Sequence, residues 1–313
     1  MAIVVGPLAE AALPEADRIF RIAFGTFLGL PDPMQFGGDT DWVATRWRTD
    51  REGALGAVRD GVLVGSNFAS RWGSFGFFGP LSVRPDLWDQ GVARQLLDAT
   101  MARFEAWGTR HLGLFTFPNS PKHVSLYQRY GYWPRFLTAV VGRAVASAPA
   151  PPGMATFSAT PAAERAAWLD ACRNASDAVL PGLDPTREIV GVDAQGIGDT
   201  LVLHDGSRVD ALAILHSGAG SEGGGTGAYV KHAAVRPGRD AAAIFERLLD
   251  ACEHLAAARG AATIAAGVNL AHEEAYRQMR ARGYTAGLLG VAMHRNNDPI
   301  YHRPGLWVLD DWR

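Results

Sequence analysis

Lysine and cysteine are nearly absent from this chain of 313 residues. The two lysines are Lys122 and Lys231, so almost all of the positive charge is arginine, which we interpret as coding bias and not as function. The two cysteines, Cys172 and Cys252, are too few to form a metal site by themselves. We expect both cysteines in helices, as buried and reduced thiols. Reduced thiols are the usual state in a cytoplasmic protein, and we predict a cytoplasmic location.

Long apolar runs and an excess of charge are also missing. No apolar run approaches the length that spans a membrane, and a formal charge of -2 gives no electrostatic reason to expect nucleic acid or an anionic membrane as a partner. Residues 1–20, MAIVVGPLAEAALPEADRIF, lack the basic start of an export signal, so we expect a strand and a helix there. The hydrophobic content of 48% is that of an ordinary globular protein. The length of 313 residues is enough for two domains.

Residues 81–97, LSVRPDLWDQGVARQLL, carry the strongest local pattern. A strand over residues 77–83 is predicted to end at Pro85, and Gly91 and Ala93 put small side chains where the next helix begins. The first N–H groups of a helix lack partners within the helix and lie at the positive end of its dipole. Because small side chains allow close approach, the pattern predicts a site for a phosphate or diphosphate.

A second pattern follows about twenty residues downstream of the first helix start. Residues 112–117 alternate as a strand does, and the next residue is a proline that breaks the strand. Ser120 is a favourable N-cap with Pro121 at the first helical position, and Gly131 ends the predicted helix. Residues 119–132, NSPKHVSLYQRYGY, are therefore predicted to begin in a turn and continue as a helix.

These two strings resemble the two signatures of the GNAT acyltransferase superfamily. The first signature is a strand ending Val-x-Pro, then Arg/Gln-x-x-Gly-x-Gly/Ala, then a helix with paired leucines. The second is Asn followed by Leu-Tyr and then Gly-Phe or Gly-Tyr. One position departs from the pattern, because Trp88 stands where Arg or Gln is usual. The matching residues of the first signature are Val83, Pro85, Gly91, Ala93, Leu96 and Leu97.

The resemblance implies acetyl-CoA as donor co-substrate, with no metal. Tyr127 is implied to protonate the departing CoA thiolate, and Asn119 to contact the pantetheine arm. Each has a plainer explanation, since Tyr127 can be a core aromatic, Asn119 a turn residue and Gly91 the start of an ordinary helix. The residues implied to bind the donor are Leu81, Ser82, Val83, Trp88, Asp89, Gln90, Gly91, Val92, Ala93, Arg94 and Asn119.

The chain then repeats itself after a linker. Residues 146–153, ASAPAPPG, are small, proline-rich and uncharged, and they predict a linker at 147–154. Residues 229–252, YVKHAAVRPGRDAAAIFERLLDAC, repeat the strand ending Val-Arg-Pro and the helix. We therefore predict two tandem GNAT-like domains, 1–146 and 155–313, of the α/β (α+β) class. Each is expected to be a twisted, mixed, mainly antiparallel sheet flanked by helices, with its fourth and fifth strands splayed apart.

The second copy has lost the residues that the chemistry needs. Ala243 and Phe245 replace the two small residues of the first motif, and Met279 replaces the tyrosine. A bulky ring would crowd a phosphate and a thioether donates no proton, so we predict that this half is degenerate and binds no CoA. The glycine-rich residues 217–227 lack the Gly-Lys-Ser/Thr ending of a nucleotide site, and we interpret them as a flexible connection between strands.

Taken with the resemblance, these features predict an N-acetyltransferase that moves acetyl from acetyl-CoA directly to a primary amine of a small molecule. The backbone amide around Val83 is expected to polarise the thioester carbonyl. The strand FGFFGPLSV carries no carboxylate, so the amine proton is expected to leave through water. Candidate bases are Asp39, Asp41 and His123, although Asp41 is equally a helix N-cap and His123 equally a solvated first-turn residue.

The acceptor is harder to read. Residues 24–47 occupy the region that lines the acceptor site in the superfamily and are rich in aromatics. Phe24, Phe27 and Leu28 are nevertheless interpreted as the buried stripe of the first helix. The C-terminal residues 304–313, PGLWVLDDWR, either seal the surface between the domains or reach the pocket.

Two other functions stay open. An acyltransferase with a longer acyl donor, or with a protein N-terminus as acceptor, would need a wider gap beside Phe115 and Phe117. The second is a non-catalytic CoA-binding sensor or scaffold, which the intact Gly91, Ala93, Asn119 and Tyr127 argue against. A homodimer is left open as well.

Overall fold

The computed structural model describes residues 2–146 and 149–313. Ser147 and Ala148, in the predicted linker, lie outside the described residues. The helices are α1 Leu13–Phe27, α2 Val43–Thr49, α3 Val92–Ala106, α4 Pro121–Gln128, α5 Arg165–Asp177, α6 Thr186–Gln195, α7 Ala241–Ala258 and α8 Glu273–Ala281. The strands are β1 Ile3–Pro7, β2 Ala54–Arg59, β3 Val62–Trp72, β4 Phe75–Phe78, β5 Ser82–Val83, β6 His111–Thr116, β7 Tyr132–Ala144, β8 Met154–Thr156, β9 Gly198–His204, β10 Val209–Ser217, β11 Gly227–Val235, β12 Thr263–Asn269, β13 Thr285–Arg295 and β14 Val308–Leu309.

Local signals in the sequence account for the elements at both motifs. Gly91 takes a φ of 85° at the N-cap of α3, a conformation that glycine adopts without steric cost. The Ser120 hydroxyl accepts a hydrogen bond from the His123 backbone N–H, and α4 starts at Pro121 as predicted. The strand predicted over residues 77–83 is interrupted by Pro80, which has no N–H for the ladder, so β4 and β5 are separate.

The strands form one continuous mixed sheet. Their order is β1-β2-β3-β4-β6-β13-β7-β12-β11-β10-β9-β8, with β5 paired to β3 and β14 paired to β11. Only the pairs β4/β6 and β11/β12 are parallel among the described strands. This confirms the predicted mixed α/β class with a mainly antiparallel sheet flanked by helices.

The second half of the chain repeats the element order of the first, but the two halves exchange strands. Strand β13, at the end of the second half, lies between β6 and β7 of the first half. Strand β7 in turn pairs with β12 of the second half, Ala144 opposite Thr263. The predicted domains 1–146 and 155–313 thus describe chain order, while each half completes its part of the sheet with a strand from the other.

Three apolar cores lie in the first half, one of them between α3 and the strands β2, β3 and β5 around Leu96. Helices α1 and α2 pack against β2 and β3 around Phe20 and Phe68. Helices α3 and α4 pack against β4, β6 and β13 around Leu97 and Phe104. Full burial of each such side chain contributes about 1.5–3 kcal/mol. These cores hold the N-terminal ends of α3 and α4 close to the same edge of the sheet.

A cleft opens in the sheet between these two helices. Strands β4 and β6 pair only from Phe75 opposite His111 to Phe77 opposite Gly113. Beyond that point the chain turns away, and β5 pairs with β3 on its other side, Val83 opposite Gly65. The predicted splaying of two neighbouring strands therefore occurs in this half, where the strands concerned are β4 and β6.

The equivalent cleft of the second half is filled by the chain itself. Strand β14 pairs with β11, Ala233 opposite Leu309, and the Val235 N–H donates to the Trp307 carbonyl at 3.0 Å. Phe245 is fully buried, with its ring 5.1 Å from that of Trp307. The backbone edge that a ligand would pair with is thus already satisfied by residues 307–309.

The glycine-rich residues 217–227 connect β10 and β11 as predicted, but they are tied to the first half. The Gly225 N–H donates to the Asp39 carboxylate at 2.8 Å, and the Asp41 N–H donates to the Ser221 carbonyl at 3.1 Å. The C-terminal segment also crosses between the halves, because the Trp312 ring packs directly over Gly113 of β6. The tail therefore seals the surface between the halves.

Cys172 and Cys252 are buried free thiols in α5 and α7, as predicted. Within residues 2–146 and 149–313, no helix is long and apolar enough to cross a membrane.

Candidate functional site

A cavity of about 500 Å³ lies in the open cleft of the first half. The start of α3, the edge of β5, the first turns of α4 and one face of α1 all contribute to its wall. Both sequence motifs therefore meet in a single space. The donor-binding candidates that line it are Leu81, Val83, Trp88, Asp89, Gly91, Val92, Ala93 and Arg94.

The start of α3 presents bare backbone N–H groups to the cavity. No side chain in the described part of the chain caps this helix, and Gln95 N–H is the first amide bonded back to the turn, at 3.2 Å from the Gly91 carbonyl. A Cβ on Gly91 would meet only the Arg94 guanidinium, at 3.6 Å, so the space above the turn is open. These amides and the helix dipole form a site that fits a diphosphate.

At Val83 of β5, the backbone N–H and carbonyl point into the cleft. The Arg84 N–H donates across to the Val64 carbonyl of β3 at 3.0 Å, so the N–H and carbonyl of Val83 point the opposite way. The Trp88 indole N–H donates to that Val83 carbonyl at 2.8 Å. Trp88, the departure from the family pattern, thus covers an acceptor on the strand edge.

Tyr127 projects from α4 into the cavity wall. Its side chain is only 8% exposed, and its hydroxyl makes no hydrogen bond with any other described residue. Burial raises the pKa of this phenol well above its ordinary value. The hydroxyl is therefore protonated at neutral pH and free to donate to whatever enters the cavity.

An aromatic wall faces the cavity from α1 and from the segment after β6. The Phe117 ring lies 5.0 Å from that of Phe27 and 6.3 Å from that of Phe24, and the His123 ring lies 4.9 Å from Phe27. Burial, reinforced by Lys122, lowers the pKa of His123, whose Nδ1 is buried without a hydrogen-bond partner. The interpretation of Phe24, Phe27 and Leu28 as one buried stripe is wrong, because Leu28 is 44% exposed and the two phenylalanines line the cavity.

An ion pair spans the mouth of the cavity. Lys122 at the start of α4 lies 2.8 Å from Asp89 in the loop before α3, and its ammonium lies 5.6 Å from the centre of the Trp88 ring. Arg94 and Arg129 also line the cavity. Our sequence reasoning missed Lys122, although it is one of only two lysines and stands in the second motif.

Several candidates lie outside the cavity wall. Ser82 is buried against β3, Gln90 pairs with Arg59 at 3.1 Å, and Asn119 is exposed in a turn. Asp41 caps α2 through the Ala44 N–H at 2.8 Å, as its alternative interpretation required. Asp39 contacts the glycine-rich loop. Of the three candidate bases, the structure places His123 alone in the wall.

No group of three or more His, Cys, Asp or Glu side chains is arranged to hold a metal ion in the described ranges 2–146 and 149–313.

A splayed parallel strand pair with an uncapped helix start at its opening is the arrangement expected from the two sequence motifs. Residues 17–132 match the family model described as the Acetyltransferase (GNAT) family. The match lies within the first half of the chain.

Solved structures share the fold of the whole chain. A candidate acetyltransferase of Pyrococcus horikoshii matches with a TM-score of 0.69 at 11% identity, over 99% of this chain and 95% of that one. A GCN5-related N-acetyltransferase of Sphaerobacter thermophilus matches with a TM-score of 0.59 at 15% identity, over 97% and 96%. One from Anabaena variabilis matches with a TM-score of 0.53 at 10% identity, over 96% and 74%. The comparison with curated proteins found no match.

Proposed function

We propose that this protein is an N-acetyltransferase that transfers acetyl from acetyl-CoA to a primary amine of a small molecule. One observation carries the proposal: a single cavity joins the bare N-terminus of α3, the open edge of β5 and the Tyr127 hydroxyl. These are the three features that a thioester donor with a diphosphate needs, in the half of the chain that matches the family model.

The residues present fit such a donor. The amides of Val92 and Ala93 face the space over Gly91, where a diphosphate would be held. An amide N–H of the donor's extended arm can pair with the edge of β5 by donating to the Val83 carbonyl, which leaves the Val83 N–H for the thioester carbonyl. The Trp88 indole N–H must then release the Val83 carbonyl, because it occupies the place that an N–H of the arm would take.

The chemistry follows from the groups at the inner end of the cavity. The amine nitrogen attacks the thioester carbonyl, a C–N bond forms, and the C–S bond breaks to release the thiolate. The Val83 N–H is placed to stabilise the negative charge that develops on the carbonyl oxygen. Neutral His123 accepts the amine proton, directly or through one water.

Tyr127 serves the leaving sulfur. Its raised pKa lies above the value of about 8.5 for an ordinary thiol, so complete proton transfer from Tyr127 is uphill. The hydroxyl therefore acts first as a hydrogen-bond donor that stabilises the thiolate, and solvent restores any proton that is lost. Positioning, rather than acidity, accounts for its contribution.

The second half takes no donor in this proposal. Residues 307–309 occupy the strand edge, Phe245 fills the place of Ala93, and Met279 is buried in the core. This half instead supplies β13 and the glycine-rich loop, which support the first half from the acceptor side.

The test copies the degenerate half into the active one. Ala93→Phe places the ring of Phe245 at the equivalent position of α3, and Ala102→Phe puts the same ring on the exposed side of that helix as a control. Calorimetric titration should show one acetyl-CoA site in wild type and Ala102→Phe, and a loss of at least about 100-fold in affinity in Ala93→Phe, equivalent to about 2.8 kcal/mol.

Thiol release with a panel of amines completes the test. Release that requires both acetyl-CoA and an amine supports the transferase. Binding of acetyl-CoA without thiol release from any amine favours the sensor or scaffold, and two sites in wild type contradict the assignment of a degenerate second half.

A further inference from the structure

The aromatic part of the cavity wall has an unusual composition for a site that receives an amine. Phe117 contacts both Phe24 and Phe27, all three rings line the wall, and the His123 ring packs on Phe27. All four rings are partly accessible, so a ligand can contact them. Flat apolar groups pack well against such a wall, in offset or edge-to-face geometry.

Carboxylates are nearly missing from the same wall. Asp89 is the one acidic side chain among the described residues that line the cavity, and it pairs with Lys122 at 2.8 Å. The other charged groups there, Arg94 and Arg129, are cationic. A second ammonium group on the acceptor would lose its hydration and gain no anionic partner, which is unfavourable.

His123 supplies a polar group suited to the reacting nitrogen. Its Nδ1 is buried out of reach of a ligand, so the accepting nitrogen is Nε2, which makes no hydrogen bond with a described residue and which an N–H from a ligand would satisfy. A neutral imidazole accepts from an uncharged amine, whereas an ammonium with no carboxylate nearby must first give up its proton. The geometry therefore selects for one nitrogen next to an apolar ring.

We propose that the acceptor is a primary amine that carries one aromatic ring and no second charge, with the ring among Phe24, Phe27 and Phe117 and the nitrogen at His123. This inference rests on the proposed acetyl transfer, and it adds the class of acceptor. In the step itself, the acceptor N–C bond forms as the donor C–S bond breaks, and the amine proton passes to His123.

The binding experiment separates this inference from the transfer reaction. Wild type is saturated with CoA, which has no acetyl group to transfer, and is titrated with 2-phenylethylamine, hexylamine and 1,5-diaminopentane. We expect 2-phenylethylamine to bind at least about 10-fold more tightly than hexylamine and about 100-fold more tightly than the diamine. Equal or tighter binding of the diamine overturns the inference, whether or not the enzyme transfers acetyl.

Variants localise the effect. Phe27→Leu keeps an apolar side chain but removes the ring, and should weaken 2-phenylethylamine about 10-fold while leaving hexylamine and CoA within twofold. Leu28→Ala is the control, because Leu28 follows α1 directly, is exposed and lies outside the cavity wall. Unchanged selectivity in Phe27→Leu overturns the assignment of the ring site.

With acetyl-CoA as donor, kcat/KM should follow the same order of amines. Its pH profile with 2-phenylethylamine should lose the acidic limb assigned to His123 in His123→Gln, while CoA affinity is retained. If thiol is released from acetyl-CoA with the diamine but with neither of the other amines, the acceptor class is rejected and the proposed transfer reaction is retained. If no thiol is released with any of the three amines although the aromatic amine binds tightly, only the transfer reaction is rejected.

Discussion

At the scale of single residues, the proposed role of Tyr127 depends on its burial. Three positions further on, Tyr130 donates its hydroxyl to the Asp98 carboxylate at 2.8 Å, so that hydroxyl is engaged. The Tyr127 hydroxyl instead faces the cavity without a partner among the described residues, with its pKa raised by burial. A donor held in this way costs the enzyme little reorganisation when charge develops on sulfur.

We therefore expect Tyr127→Phe to lower kcat about 100-fold, within the range for a lost acid or hydrogen-bond donor, with little change in acetyl-CoA affinity. Since its pKa lies above the ordinary value near 10, ionisation of Tyr127 should produce no alkaline limb in the pH profile of wild type below pH of about 10. Steady-state kinetics and calorimetry check both points. Tyr130→Phe is the matched control, and an equal loss of kcat in that variant would contradict the role of Tyr127.

At the scale of elements, the start of α4 and the loop before α3 face each other across the cleft. Lys122 on α4 pairs with Asp89 in the loop and lies over the ring of Trp88. Asp89 and Lys122 are both largely exposed, so the pair contributes little to stability. In the proposed function, a diphosphate bound at the N-terminus of α3 competes with Asp89 for the ammonium, so we expect Lys122 to contact the diphosphate from α4.

Lys122→Met should therefore raise the Kd for acetyl-CoA about fivefold at low salt, because one charge-assisted contact is lost. The same variant should bind S-acetylpantetheine, which has no diphosphate, as wild type does. Asp89→Asn should bind acetyl-CoA slightly more tightly, and Asn tolerates the positive φ of 64° at this position. Titrations at several salt concentrations decide the point, since a loss shared by both donors would show that Lys122 acts on the fold.

At the scale of the whole molecule, the C-terminal segment contacts the first half through Trp312, whose ring also packs against buried histidines. The His302 ring stacks on Trp312 with ring centres 3.9 Å apart, and the His302 Nδ1 lies 3.1 Å from the His294 Nε2. Burial lowers the pKa of His272 and of His294 to about 3. These side chains are neutral in the folded protein, and Asp310 within the same cluster has its pKa lowered by its histidine neighbours despite burial.

The free energy of unfolding should fall as the pH drops below about 6.5. In the window between 6.5 and about 3, the unfolded chain binds protons that folded His272 and His294 exclude, so acid favours unfolding. Each histidine contributes up to about 1.4 kcal/mol per pH unit.

Urea unfolding at pH 7.5, 6.5 and 5.5 measures this slope. His272→Gln should flatten it, whereas His204→Gln, on β9 and outside the cluster, should leave it unchanged. If the free energy of unfolding of His272→Gln changes with pH as steeply as that of wild type, His272 does not take up one of the protons bound on unfolding.

Much of the first half was predictable because its signals are local. Gly91, Ser120 and Pro121 specify where α3 and α4 begin through φ preference and capping, which depend on a few neighbouring residues. The same locality explains why the motifs include Asn119 and Ser82 although both lie outside the cavity wall. A motif fixes a position along the chain, but whether a side chain faces a cavity depends on the neighbouring elements.

The sequence by itself determined the fold class, the start of the helix that borders the cavity, and the repetition of the pattern in a second half without its glycine and tyrosine. Tertiary structure decided that β13 inserts beside β6, that residues 307–309 fill the second cleft, and that Phe24, Phe27 and Phe117 meet around His123. The physical reason is the range of the interactions. Caps and periodicity act within a turn or a strand. Backbone groups do not specify which distant strand they pair with, so shape and burial select among the possible strand pairings.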